Sequence, residues 1–217
     1  FIAEAAHHIR TPLSTVRAET EIALRRAESE ETRTRLRSVI RAVDESARSA
    51  GQLLDHAMVA YRSNRMKRTE IDLAALLGDL ARSFAPTAEL RDIALGVSPA
   101  PGPARVLGDR VLVESALRNL IDNALKYTDP EGSVHLSLTR TPTRITVEVR
   151  DTGRGLAGAD IALLTTRFQR GPNSGDVVGS GLGLTIVAEV AQAMGGEFAL
   201  EQAEGGGTVA RLSFVPC

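Results

Sequence analysis

The stretch Gly179-Ser180-Gly181-Leu182-Gly183-Leu184 runs into an apolar segment of helical period, so a glycine-rich backbone opens a helix. The first N–H groups of a helix have no partner within the helix, and with the helix dipole they attract anions. This pattern predicts a phosphate-binding loop. A dinucleotide-binding fold would carry the loop after its first strand, and a P-loop would need Gly-Lys-Ser or Gly-Lys-Thr. The sequence meets neither condition.

A second glycine motif, Asp151-Thr152-Gly153-Arg154-Gly155, lies upstream of this loop. It follows a segment in which Ile145, Val147 and Val149 alternate with polar residues, as in a half-buried strand. A carboxylate can accept a hydrogen bond from the amino group of adenine, and glycines let the backbone approach a flat base. A plain hairpin turn would explain the Asp-x-Gly spacing but not the neighbouring motifs.

Asn119 and Asn123 are four residues apart in a segment that Asp109 can cap as a helix, so both lie on one helix face. Their amide oxygens are suited to bind Mg²⁺ beside phosphates. Lys126 supplies a positive charge on the same helix, and Tyr127 a polar ring edge. Taken alone, the asparagine pair would be read as part of a solvated surface; the two glycine motifs favour a nucleotide site.

The first part of the chain has a different pattern, in which apolar or small residues recur at alternating steps of four and three. The positions are Ile9, Leu13, Val16, Thr20, Ala23 and Ala27, then Leu36, Ile40, Val43, Ala47, Ala50, Leu54, Ala57 and Tyr61. We therefore predict two long helices joined by a polar turn at Glu28–Glu31. Two such hairpins would cover their stripes as a four-helix bundle, which predicts a homodimer. The alternative is a hairpin packed on the second domain.

The predicted domains are a helical hairpin over 1–61, a polar linker over 62–68 and an α/β domain over 69–217. In the last of these, Asp72 caps a helix that extends to about Leu90, and Asp109 caps the asparagine helix. A helix is also expected from about Leu182 to Met194. Strands are expected at Ile93–Val97, around Val134–Leu138 and Ile145–Val149, and at Glu197–Gln202 and Thr208–Phe214. Helices against one face of a sheet are the predicted architecture.

Composition adds limits on partners and location. The 217 residues include 26 basic and 27 acidic ones, which gives no indication of a nucleic-acid partner. Cys217 is the only cysteine, as is typical of a reducing compartment, so a cytoplasmic location is expected for this part of the chain. The sequence has no apolar run of membrane-spanning length, and it begins at Phe1 inside a motif. We therefore expect further residues upstream of Phe1.

With these motifs in this order, the chain resembles the catalytic core of two-component sensor histidine kinases. The resemblance implies a HisKA-type dimerisation hairpin followed by a GHKL-type (Bergerat) α/β sandwich, the ATP-binding fold shared with DNA gyrase, Hsp90 and MutL. It implies ATP and Mg²⁺ as cofactors and phosphorylation of a histidine of the chain itself. It also implies that upstream residues anchor the full-length protein in the inner or plasma membrane. The phosphoryl group would then pass to an aspartate in the receiver domain of a response regulator, and phosphatase activity toward that regulator is a further expectation.

The resemblance assigns roles to three residues of the first segment. His7 is the expected phosphoacceptor, and a neutral imidazole is a competent nucleophile near pH 7. His8 stands where most relatives carry Glu or Asp, so a second imidazole would have to act as the base. Thr11, one turn after His7, would position water for the phosphatase reaction. A metal site at His7 and His8 is disfavoured because adjacent helix residues diverge by about 100°.

In the second domain the resemblance makes Asn123 the main Mg²⁺ ligand and Asn119 a supporting one, and it assigns adenine to Asp151. Further cofactor-binding positions are Lys126, Tyr127, Gly153, Gly155, Phe168, Arg170, Gly179, Gly181, Leu182, Gly183, Leu184 and Thr208. Thr165 replaces an aromatic residue of the family pattern, and residues 171–179 would form a lid. Two alternatives remain open: an ATPase of the gyrase kind, which would carry Glu at the position of Asn119, and a dimeric signalling scaffold that binds nucleotide with weak or no kinase activity.

Overall fold

The computed structural model describes residues 2–63, 68–98, 100, 102–156, 158 and 182–217. For residues 2–10, 45, 48, 52, 55–56 and 58–63 the description covers the backbone alone. The chain divides near residue 58 into two compact units, a helical hairpin and an α/β unit. The predicted fold class, a helical region followed by an α/β sheet domain, is confirmed.

The helical unit is formed by α1 (Ile2–Arg26) and α2 (Glu30–Ser63). The connection is shorter than predicted: the Ser29 hydroxyl accepts the N–H of Thr32 at 3.1 Å, and α2 begins at Glu30. Across the hairpin, Arg17 Nε lies 3.0 Å from Asp44 Oδ1, an ion pair that fixes the register of the two helices. None of the described helices is long and apolar enough to cross a bilayer.

The α/β unit is built on a five-stranded sheet with the order β2-β4-β5-β7-β6. Its strands are β2 (Ala94–Val97), β4 (Ser133–Arg140), β5 (Ile145–Asp151), β6 (Glu197–Gln202) and β7 (Thr208–Phe214). Only β2 and β4 run parallel; the other neighbours are antiparallel. Because side chains alternate along a strand, one face is apolar. It buries Val134, Leu136, Leu138, Ile145, Val147, Val149, Leu212 and Phe214.

Among the described residues, three helices cover the apolar face: α3 (Leu73–Leu90), α4 (Arg110–Tyr127) and α5 (Gly183–Ala193). The first two begin at the predicted aspartates. Asp72 Oδ1 accepts the N–H groups of Ala74 and Ala75 at 3.0 and 3.1 Å. Asp109 Oδ1 accepts that of Val111 at 3.0 Å. These caps satisfy N–H groups that have no partner within the helix, and so they set where α3 and α4 start.

A second, two-stranded sheet was not predicted. It pairs β1 (Thr69–Asp72) with β3 (Arg105–Gly108) in antiparallel orientation, and Ile71 lies opposite Val106. Val106 also forms a bridge with Pro216 near the end of the chain. Each strand has only four residues, and the partners are far apart in sequence, so neither segment shows the extended alternation that identifies a strand.

Candidate functional site

The asparagine pair of α4 faces the first turn of α5. Asn119 Nδ2 donates to the carbonyl oxygen of Ser115 at 2.9 Å. This bond fixes the amide with its nitrogen toward Ser115 and its oxygen directed away from Ser115. A Cβ atom on Gly183 would lie 3.0 Å from Asn119 Oδ1 and 3.4 Å from Asn123 Nδ2. Both amides therefore lie against the backbone at the point where α5 begins. The absence of a side chain at Gly183 leaves room for them.

This junction combines two features that suit a phosphorylated ligand with a cation. The start of α5 presents N–H groups and the positive end of the helix dipole, and the preceding residue, Leu182, is buried. Beside it are amide oxygens, which are hard ligands of the kind that Mg²⁺ prefers. The donor set therefore fits a magnesium ion held jointly by asparagine and phosphate oxygens.

Asp151, at the end of β5, is a buried carboxylate with a defined orientation. Its Oδ1 accepts the N–H groups of Gly153 at 2.9 Å and Thr208 at 3.1 Å. Burial raises the pKa of the Asp151 carboxyl above its ordinary value, and the hydrogen bonds from Gly153 and from the backbone and hydroxyl of Thr208 lower it in part. A buried, oriented acceptor of this kind can recognise an amino group on a ligand.

Two close backbone approaches hold the segment around Asp151. A Cβ on Gly153 would lie 2.2 Å from the carbonyl oxygen of Tyr127, the last residue of α4. Gly207 has a φ of +84°, and a Cβ there would lie 1.9 Å from the carbonyl oxygen of Asp151. Since no side chain fits at either position, both glycines are required by the packing of the three segments.

Lys126 differs from the expectation of a positive charge directed at phosphates. Its Nζ lies 2.7 Å from Asp122 Oδ2, one helical turn earlier, and its side chain is only 10% exposed compared with 43% for Asp122. In this structure, then, the ammonium group is paired within α4. The i,i+4 spacing of Asp122 and Lys126 was a signal from which the sequence could have predicted this pair.

Several other predicted residues cannot be placed by their side chains. His7 and His8 lie on α1, in the part where only the backbone is described. Thr11 follows one turn later on the same helix and is exposed. Four further positions and the predicted lid at 171–179 lie outside the described residues: Phe168, Arg170, Gly179 and Gly181.

Gln202 is a residue that sequence reasoning missed. It ends β6, and its side-chain amide bonds to two segments next to Asp151, at Leu156 and Gly207. No local sequence signal identifies this role, because Leu156 lies 46 residues upstream of Gln202.

Comparison with family models gives two matches that together span most of the chain. Residues 108–217 match the family described as histidine kinase-, DNA gyrase B- and HSP90-like ATPase. Residues 1–60 match the His Kinase A (phospho-acceptor) domain.

Similar curated proteins include two sensor proteins of Escherichia coli (strain K12). CreC is 30% identical over 214 residues, covering 98% of this chain and 44% of CreC. QseC is 31% identical over 215 residues, covering 99% of this chain and 47% of QseC. The chain thus spans about half the length of the curated relatives it matches.

Similar solved structures match all or part of this chain. Full-length ShkA in complex with AMPPNP superposes on 100% of this chain and 46% of its own, with a TM-score of 0.72 and 25% identity. The mycobacterial sensor histidine kinase MprB matches 69% of this chain and 97% of its own, with a TM-score of 0.59 and 28% identity.

Proposed function

This chain belongs to the sensor histidine kinases of two-component systems, and on that premise we propose that it transfers the γ-phosphoryl group of ATP to its own His7. The main support for the proposal is that the Asn119 and Asn123 side chains lie against Gly183 at the first turn of α5. A helix N-terminus that binds anions and amide oxygens that bind a cation are thus adjacent, and a triphosphate with its Mg²⁺ requires both.

In the proposed complex each described residue has one task. Asp151 accepts a hydrogen bond from the adenine amino group, and the first turn of α5 donates N–H groups to the phosphates. Asn123, with Asn119 in support, would hold Mg²⁺, which neutralises charge on the phosphates when bound. Asn119 also bears on the type of reaction, because an ATPase of the gyrase kind carries a water-activating Glu at this position. The chain therefore supports phosphoryl transfer better than hydrolysis.

The proposed transfer joins an imidazole nitrogen of His7 to the γ-phosphorus as the bond from that phosphorus to the β-phosphate oxygen breaks, with ADP leaving. The proton on the other ring nitrogen of His7 passes to a base, for which His8 is the candidate.

Incubation with γ-labelled ATP and Mg²⁺ tests this function: we expect label that is labile to acid and stable to base. Nucleotide binding with no label at any pH would favour the scaffold alternative.

Gly183→Ala is expected to weaken ATP binding by about tenfold, because a methyl group at 3.0 Å from Asn119 Oδ1 displaces the amides that line the site. Alanine favours a helix over glycine, so loss of fold is not the expected cause. Titration calorimetry with ATP and Mg²⁺ measures the effect.

The matched control is Gly78→Ala on α3, where the added methyl group would meet only Arg82 at 3.6 Å. It should bind ATP with wild-type affinity. Equal affinities for the Gly183→Ala and Gly78→Ala proteins would contradict the placement of the phosphates at α5.

We also propose that the chain works as a homodimer whose two hairpins form a four-helix bundle. Large apolar side chains of the single hairpin are 43–52% exposed: Val16, Ile22, Val39 and Leu53. Light scattering should give about 46 kDa, twice the 23.1 kDa of one chain. Leu53→Arg should shift the protein toward the monomer, and Leu90→Arg on the 89% exposed Leu90 of α3 should not. A wild-type monomer at micromolar concentration would contradict the proposal.

The proposed partner of the phosphorylated chain is the receiver domain of a response regulator, whose aspartate takes the phosphoryl group. Thr11 is proposed to position water when the chain removes that group again. Thr11→Ala should then slow the loss of phosphate from the regulator without lowering the label on His7.

We propose that this portion of the protein lies in the cytoplasm, where ATP and response regulators are found. Membrane anchoring of the full-length protein stays a prediction, which fractionation of cells tests.

A further inference from the structure

The side-chain amide of Gln202 bonds at both ends. Its Nε2 donates to the carbonyl oxygen of Gly207 at 2.8 Å, and its Oε1 accepts the N–H of Leu156 at 2.7 Å. The first partner lies five residues after Gln202 in the turn before β7, and the second directly follows the glycine motif at the end of β5. One side chain therefore joins two loops that are distant in sequence.

Both loops also hold Asp151. Thr208, next to Gly207, donates its N–H to Asp151 Oδ1 at 3.1 Å. The Gly207 backbone packs against the carbonyl group of Asp151 so closely that no Cβ fits between them. The glycine motif that precedes Leu156 begins at Asp151 itself. A shift of either loop would consequently turn or displace the carboxylate.

Gln202 is exposed as a residue, but one side of its amide is in close contact with backbone. A Cβ on Gly155, which has a φ of +63°, would lie 2.2 Å from Gln202 Nε2, so the amide packs directly against the Gly155 backbone. An apolar side chain of the same length would remove the bond to the Leu156 N–H, and it would leave the Gly207 carbonyl with the N–H of Ala203 at 3.0 Å. A carboxylate could accept from Leu156 but could not donate to Gly207.

We propose that Gln202 is a positioning residue that fixes the Asp151 carboxylate for adenine and so sets the discrimination between adenine and guanine. The inference rests on the proposed function. At the position of the adenine amino group guanine carries a carbonyl oxygen, which a carboxylate repels. The strength of that discrimination depends on how firmly the carboxylate is held in place.

Gln202→Met in the whole chain tests this role, because methionine matches glutamine in length and lacks the strong donor and acceptor. ATP and GTP affinities are measured by competition against a fluorescent ATP analogue, well below the melting temperature. We expect ATP to bind about tenfold more weakly while GTP changes less than about twofold, so the ATP preference falls. Gln202→Glu should give an intermediate loss, since it keeps the bond to Leu156. The exposed Gln192 of α5 supplies the control, Gln192→Met, with wild-type values.

Three outcomes would overturn the role of Gln202. These are wild-type ATP affinity in the Gln202→Met protein, an equal loss of ATP and GTP binding, and a Gln202→Glu protein that matches wild type. If the methionine variant did not fold, the glutamate variant alone would decide. Failure of the proposed function is distinguishable, because the wild-type protein would then either not bind ATP in the same assay or bind it without label on His7.

Discussion

Asp151→Asn is expected to weaken ATP binding by about 10- to 100-fold while the α/β unit stays folded, the loss expected for a buried charged hydrogen bond. Asp151 Oδ1 already accepts the N–H groups of Gly153 and Thr208, and an asparagine oxygen can keep both bonds. The second oxygen becomes an amide NH₂ in the variant. It would then turn a donor toward the adenine amino group, which is itself a donor.

The raised pKa of Asp151 gives this prediction a second part. Burial favours the neutral carboxyl in the folded chain. The contribution of Asp151 to the free energy of unfolding is therefore fully present at low pH, and it is lost as pH rises from the ordinary aspartate pKa through the raised pKa of the folded chain. At neutral pH the wild-type protein therefore carries a destabilising buried charge. The Asn variant, which lacks that charge, should melt at the same temperature as wild type or higher.

The pH dependence of ATP binding follows from the same shift. The ionised carboxylate is the acceptor, so wild-type affinity should fall as pH drops through the raised pKa, earlier than an ordinary aspartate would give. Calorimetric titrations over a pH series measure this. The control is Asp79→Asn, at an exposed carboxylate of α3 that pairs with Arg82. Unchanged ATP affinity in the Asp151→Asn protein would remove Asp151 from the base pocket.

His7→Ala is expected to abolish incorporation of label from γ-labelled ATP and to leave ATP affinity unchanged. The acceptor is on α1, whereas the residues proposed to bind the nucleotide belong to the α/β unit, so the two properties should separate. His8 should not substitute for His7, because adjacent helix residues point about 100° apart. Label retained in the His7→Ala protein would contradict the assignment of the acceptor.

His8→Glu provides the companion test. Wild-type labelling requires both His7, the nucleophile, and His8, the base, to be neutral, so the rate should fall steeply with two protonations as pH drops through the histidine range. With Glu at residue 8 the carboxylate stays ionised to much lower pH and only the protonation of His7 remains, so the fall should be less steep. Initial labelling rates between pH 5.5 and about 8, taken at saturating ATP, compare the two proteins. Identical profiles would exclude His8 from the proton transfer.

Local patterns predicted a large part of the fold. Asp72 and Asp109 begin helices because a cap involves only the next few residues, and the alternation in β4 and β5 reports which face is buried. The pairing of β1 with β3 joins strands of four residues, Thr69–Asp72 and Arg105–Gly108, and only tertiary contact defines it. Such short, distant pairs leave no periodic signal.

In the candidate site, too, local patterns predicted some features and tertiary contacts determine the others. The spacing of Asn119 and Asn123 predicts a shared helix face, but it cannot say that Ser115 fixes the orientation of the Asn119 amide. The role of Gln202 depends on two loops that meet only in the folded chain. Sequence motifs thus identified residues proposed to touch the nucleotide, and the structure adds those that hold them in place.

Mapping the phosphoryl group tests the central claim most directly. The wild-type chain is incubated with ATP and Mg²⁺, digested under alkaline conditions that preserve phosphohistidine, and sequenced by mass spectrometry with fragmentation that keeps the modification. We predict a single phosphorylated site, on the imidazole of His7. A phosphoryl group on any other side chain, or none in a protein that binds ATP, would contradict the account.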